Sequence, residues 1–150
     1  MASEVIDVTG TGMWAKVTEA TRDRGSSKAD GAKYDYPEAC TIDMILDQEE
    51  LKKVTKANPK VSPRVTDDGL SVKFRRNWIN ARNPKWGGAP IVVDDQGEAW
   101  PEDKMIGNGS KVRIAAEVYD TQFGKAMRLL KVMVLDYVEP ELPDGPDLPF

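Results

Sequence analysis

The residues best suited to chemistry in this chain are cations set beside aromatic rings. Lys73-Phe-Arg-Arg-Asn-Trp78 interleaves them, with Lys73 and Arg75 on the strand face opposite Phe74. Trp14 and Lys16 point the same way from an earlier alternating run, Met13 to Thr18. Tyr34 and Tyr36 sit beside Lys33 in a loop rich in Gly and Ser, and Trp86 sits beside Arg82 and Lys85 in another. Single-stranded nucleic acid is held by a basic groove that follows its phosphates and by rings on which its bases stack, worth roughly 1–3 kcal/mol per base. On that chemistry Lys16, Lys73, Arg75, Arg76, Arg82 and Lys85 would face phosphates. Trp14, Tyr34, Tyr36, Trp86 and Trp78 would stack bases. The competing reading puts Phe74 and Trp78 in the core and leaves the cations as a solvated face. Large rings in Gly-rich loops have little core to enter, and exposing several together is costly unless they are used.

Other chemistries are poorly served. The chain has no histidine, which removes imidazole acid–base catalysis, Ser-His-Asp triads and nearly all His-containing metal sites. Its single cysteine, Cys40, lies in an apolar run and reads as a small buried hydrophobe; an intrachain disulfide is excluded, which fits a reducing compartment. Asp94, Asp95, Glu98, Glu102 and Asp103 could in principle hold Mg²⁺ in a nuclease, but their spacing matches no calcium loop and reads as a solvated turn. Thr9-Gly-Thr-Gly12 and Gly107-Asn-Gly109 lack the Gly-Lys-Ser/Thr ending and the following helix of a phosphate loop, and read as turns. No catalytic residue, metal ligand or cofactor is assigned.

The formal net charge of −4 over 150 residues speaks against a polyanionic partner if taken whole. Its distribution reverses that. Residues 139–150, EPELPDGPDLPF, hold four acids and no base, which leaves 1–138 neutral. Within the body, residues 51–91 carry ten bases against Asp67 and Asp68. A field depends on where charges lie. The chain therefore divides into a body, 1–138, with a basic centre, and an acidic tail, 139–150. Four prolines and a glycine predict a disordered tail. Its tip, with Asp144, Asp147, Leu148, Pro149 and Phe150, can put a ring in a partner's pocket and carboxylates on a partner's cations. No apolar run approaches the roughly 20 residues of a membrane span, and the opening residues do not read as a signal peptide.

The elements that must position these residues are mostly strands. The first dozen residues show no period. Alternation predicts strands over 13–18, 38–46, 70–78, 90–94, 111–120 and 126–138, with a short helix from Gln48 to about Ala57 capped by Asp47. Residues 21–37 and 80–90 read as long loops. Short connections imply antiparallel pairing. The expected fold is mainly β: a five-stranded antiparallel OB-fold barrel with one inserted helix and a disordered acidic tail. An open α+β sandwich stays as the alternative.

At LSVKFRRNW, APIVVDDQG, MIGNGSKVRIAAEVY and GKAMRLLKVMVLDYVE, taken in that order, the chain resembles the single-stranded DNA-binding proteins of tailed bacteriophages. The tip DGPDLPF looks like their acidic, Phe-terminated tip, and the N-terminal half fits in layout. The resemblance implies an OB fold, sequence-independent binding and protection of single strands in phage replication, recombination and repair, and no enzymatic activity. It matches Lys73 and Arg75 to basic groove positions, Phe150 to the terminal aromatic, and Ile106-Gly-Asn-Gly-Ser110 to a structural turn. The implied partners are single-stranded DNA and, through the tail, replication proteins such as a polymerase or a helicase/primase. A homodimer is also implied, although a tail of four acids suits tail-mediated dimerisation poorly. The implied location is the cytoplasm of the infected bacterial host. From the residues alone, RNA stays open as a ligand, and so does a protein-interaction module with an incidental basic face.

Overall fold

Alternation decides which side of each strand turns inward. Ile42 and Met44, Val72 and Phe74, and Val112, Ile114, Ala116 and Val118 recur every second residue and are all buried. The computed structural model describes residues 3–27, 29, 31 and 37–140. Its strands are β1 (Ser3–Lys16), β2 (Ala39–Ile45), β3 (Arg64–Thr66), β4 (Gly69–Asn77), β5 (Ile91–Asp94), β6 (Ser110–Thr121) and β7 (Gly124–Asp136). They form one sheet in the order β3-β4-β2-β1-β6-β7-β5. Its buried face gathers Ile6, Val8, Ile42, Phe74, Ile114, Leu129 and Val132 into one core.

The expected five-stranded antiparallel barrel is corrected in number, direction and closure. The sheet has seven strands. β3 is a short hairpin partner of β4, and β5 runs parallel to β7, from Ile91 beside Lys131 to Asp94 beside Val134. No backbone ladder joins β4 to β7 among the described residues. The two strands nevertheless lie against each other. The Arg76 side chain crosses between them to donate to the Leu129 carbonyl, 3.3 Å away.

The N-terminal segment is the second correction. It shows no period by eye, yet β1 runs from Ser3 and lies centrally between β2 and β6, pairing Ser3 with Tyr119 through Gly12 with Ser110. Thr9-Gly-Thr-Gly12 is strand rather than turn. A Cβ on Gly10 would collide with the Ile45 carbonyl, and one on Gly12 would press on Ile42 and Val112, both at 3.1 Å. These glycines admit close neighbours.

The helix forms where the cap predicts it. α1 (Gln48–Ala57) begins at Asp47, whose carboxylate accepts from the Glu50 N–H at 2.9 Å, and it buries Val54 and Ala57. Among the described residues no helix is long and apolar enough to cross a membrane. The predicted disorder of the tail, residues 139–150, falls outside the described residues from 141 onward.

Cys40 is fully buried on β2, and burial pushes its thiol up to about 11. A thiol nearly all protonated at neutral pH and closed to solvent reacts slowly. Native protein at pH 7.5 should therefore resist iodoacetamide and become labelled only as it unfolds in urea. Rapid labelling of the native form would show β2 to open locally.

Candidate nucleic-acid interface

The outward sides of β1, β2 and β4 make one surface because the register aligns them in rows. Lys16 lies beside Thr41, and Thr41 beside Arg75. One step along, Met13 lies beside Asp43, and Asp43 beside Lys73. The next row runs Thr11, Ile45, Ser71 and Arg64. Lys73 and Arg75 stand two residues apart on one face of β4, about 6.8 Å at the strand's rise per residue.

Trp14 enters this surface through a defect. Between Met13 and Lys16 the β1–β2 register slips by one residue, and Trp14 takes a φ of 52°. That left-handed conformation is unfavourable for a bulky side chain. The Trp14 N–H, turned out of the ladder, donates to the Asn108 side-chain oxygen at 2.7 Å. Asn108 is presented by the turn over 106–110, which is tied to β1 through the Gly109 N–H and the Gly12 carbonyl, 3.1 Å. The result is a tryptophan 66% exposed on the rim of a cleft of about 270 Å³, shared with Met13, Asp43, Arg64 and Lys73.

A second aromatic group lies at the other end of β4. The Arg128 guanidinium is sandwiched between Trp86 and Tyr119, 4.3 and 4.4 Å from the ring centroids, and is paired with Glu117. Such stacks are attractive because the ring face carries negative charge. Trp86 sits in a one-turn 3-10 helix, Pro84–Trp86, and stays 41% exposed. A small pocket of about 90 Å³ beside it is lined by Arg75, Asn77, Tyr119, Met127 and Arg128 among others. Arg75 is steadied by bonds to Asn77 Oδ1 at 2.9 Å and to the Pro37 carbonyl at 3.1 Å. Arg82 and Lys85 are exposed in the same loop as Trp86.

Two expected contacts are placed differently. Arg76 follows Val72 and Phe74 on the inward side of β4. Its guanidinium donates to the carbonyls of Lys85, Gly87 and Leu129. Burial, with Arg128 nearby, presses its pKa below the ordinary guanidinium value. Its visible work is to hold the 78–90 loop against β7. Trp78 is half-buried, with Arg22 stacked over its ring at 4.3 Å and Arg22 itself bonded to Glu38 at 2.9 Å. The structure thus brings Trp14, Lys16, Lys73, Arg75 and Trp86 to one surface with Arg82 and Lys85 at its end. Tyr34, Tyr36 and the tail residues Asp144, Asp147, Leu148, Pro149 and Phe150 lie outside the described residues.

Three residues escaped sequence reasoning. Arg128 and Tyr119 build the Trp86 platform. Phe123 stands 91% exposed in the two-residue β6–β7 turn, which the Thr121 hydroxyl closes onto the Gly124 carbonyl at 2.7 Å. A phenylalanine between Gln122 and Gly124 has no core to enter, and that was the available signal. On the acidic side, the Asp94 carboxylate accepts from the N–H groups of Gln96 and Glu98 at 2.8 and 3.0 Å and so is spent on its own turn.

No protein-family model matches the chain, and no curated protein sequence does. Solved structures do. The chain is similar to gp2.5, a single-stranded DNA-binding protein encoded by bacteriophage T7, at 17% identity over 97% of this chain and 98% of that one, with a TM-score of 0.57. It is also similar to the single-stranded DNA-binding protein of bacteriophage Enc34 in complex with single-stranded DNA, at 13% identity over 91% and 88% of the two chains, TM-score 0.51. The fold is the one these phage proteins share.

Proposed function

We propose that this protein binds single-stranded DNA without strong sequence dependence and acts as a coating and protecting protein rather than an enzyme. The observation that carries the reading is the single outward surface that runs from Trp14 through Lys73 and Arg75 to Trp86. Rings stand at both ends of it and cations between, the layout that a flexible polyanion with stackable bases requires. The fold supports it, since both phage proteins above are named for single-stranded DNA and one was solved holding it. Lys16, Lys73, Arg75, Arg82 and Lys85 meet phosphates; Trp14, Trp86, Tyr34, Tyr36 and Phe123 meet bases. Arg76, Arg128 and Trp78 serve as the frame. The setting is phage DNA replication, recombination and repair in the cytoplasm of the infected host. There the acidic tail, with Phe150 at its tip, recruits replication proteins, and a homodimer is the assembly to look for.

A salt series of oligo-dT titrations tests this. With about four to six phosphates engaged, log affinity should fall against log salt with a slope of roughly −3 to −4. Tryptophan fluorescence should be quenched on binding, through Trp14 and Trp86. Removing residues 139–150 should tighten binding at low salt, because four carboxylates no longer compete with phosphates for the same cations. Absence of both quenching and salt-sensitive binding would sink the proposal.

A further inference from the structure

The cleft beside Trp14 holds a feature that backbone binding does not use. On its floor is Asp43, whose Oδ1 is closed to solvent and has no hydrogen-bond partner. The nearest cation, Lys73 Nζ, stands 3.9 Å from that oxygen, beyond hydrogen-bond reach, and its side chain is 61% exposed. A buried acceptor without a donor is costly, the more so when charged. A phosphate cannot relieve it, since like charges repel, and Asp67 and Asp68 on the same cleft add to that repulsion. What the cleft lacks is a hydrogen-bond donor on a flat, uncharged group small enough to enter from the Trp14 side.

Resting on the reading above, we propose that this cleft is a base-reading subsite that selects guanine. The base stacks on Trp14, Lys73 turns outward to the adjoining phosphate and in leaving uncovers the Asp43 carboxylate, and the base then donates its N1 and N2 hydrogens to it. Single-stranded bases are read on their pairing edges in this way, and carboxylates accept from amino groups of bases. Guanine presents two adjacent donors on that edge. Adenine and cytosine each set a ring acceptor beside the amino group, and thymine flanks its one donor with two carbonyls, all of which face the carboxylate unfavourably. Engaging Lys73 with DNA takes away the cation nearest Asp43, so the donor from the base is needed most when the strand is bound. The strained backbone at Trp14 and the bulge that makes it are what hold the ring over this floor.

The test compares full-length protein on four oligonucleotides of equal length: oligo-dT, and oligo-dT with one central thymidine replaced by deoxyguanosine, deoxyinosine or deoxyadenosine. Inosine keeps the purine ring and N1–H and lacks the 2-amino group, so it separates donation from stacking. The guanine oligonucleotide should bind about fivefold tighter than the inosine and adenine ones, the low end for a paired contact to a base edge. Asp43→Asn, nearly isosteric, should bring the three purine oligonucleotides to equal affinity while oligo-dT binds as well as before or tighter. Equal affinities for guanine and inosine in the unaltered protein would overturn the subsite and leave single-strand binding standing, and this comparison needs no variant. A guanine preference that persists in Asp43→Asn would overturn it as well. Failure to bind any of the four would overturn both readings together.

Discussion

Replacing Trp14 with asparagine should make the protein more stable and a poorer binder at once. The φ of 52° at Trp14 costs a bulky L-residue roughly 1–2 kcal/mol, and asparagine enters this region with far less strain. Little burial is lost, because the ring is 66% exposed. The Asn108 bond is to the backbone N–H of Trp14 and survives the change. A gain of about 1 kcal/mol, read as a melting temperature higher by a few degrees, is expected. Affinity for oligo-dT should fall by the worth of one stacking platform, roughly 1–3 kcal/mol. Opposite signs are the informative outcome, since strain kept at a functional position is lost together with function. If the variant is instead less stable and binds normally, the ring is a packing element and the interface must be redrawn without it.

The adjacent arginines of β4 should behave oppositely when each is changed to methionine. Arg76→Met takes the donors from the Lys85, Gly87 and Leu129 carbonyls and leaves the seam between β4 and β7 without its side-chain link. Hydrogen bonds from charged groups are worth about 1.5–3 kcal/mol each, and the carbonyls of Gly87 and Leu129, accepting in part-buried bonds, lose their donor. A loss of about 3 kcal/mol in urea unfolding is expected, with weaker DNA binding following from a loosened Trp86 loop. Arg75→Met touches two exposed bonds, to Asn77 and Pro37, and should shift stability by no more than about 0.5 kcal/mol. Its effect should instead appear in the salt series, as a slope shallower by somewhat less than one. If Arg75→Met unfolds the protein and Arg76→Met changes only the salt slope, the two roles are exchanged.

That contrast shows how far the sequence could be read. Strand parity already grouped Arg76 with Val72 and Phe74, while its charge alone suggested a phosphate contact. Lys73 and Arg75 were placed on the correct face by the same parity. The helix from Gln48 was legible because its signals are local: a capping aspartate, an apolar pair three apart and a stop at Asn58-Pro59. Only the end of β1 from Met13 was legible; the stretch before it was not, because the glycines at 10 and 12 answer to Ile45, Ile42 and Val112, which are distant in sequence. Nor could the sequence bring Asp43 and Trp14 to one cleft, or Arg128 between Trp86 and Tyr119. Those meetings are set by register and by one inserted residue. Closure failed for a related reason: the gap between β4 and β7 is spanned by a side chain, and periodicity describes backbones.

The central place of β1 also has a consequence for synthesis. Its partner along most of its length is β6, so Ser3 waits for Tyr119. A ribosome must deliver four-fifths of the body before the middle strand of the sheet has both neighbours. Until then Ile6 and Val8 have no finished core to enter, and β2 offers pairing only to the far end of β1. Pairings so distant in sequence form slowly. This chain should therefore fold late and nearly all at once, and nascent forms arrested before β6 should be the ones that chaperones hold and proteases cut.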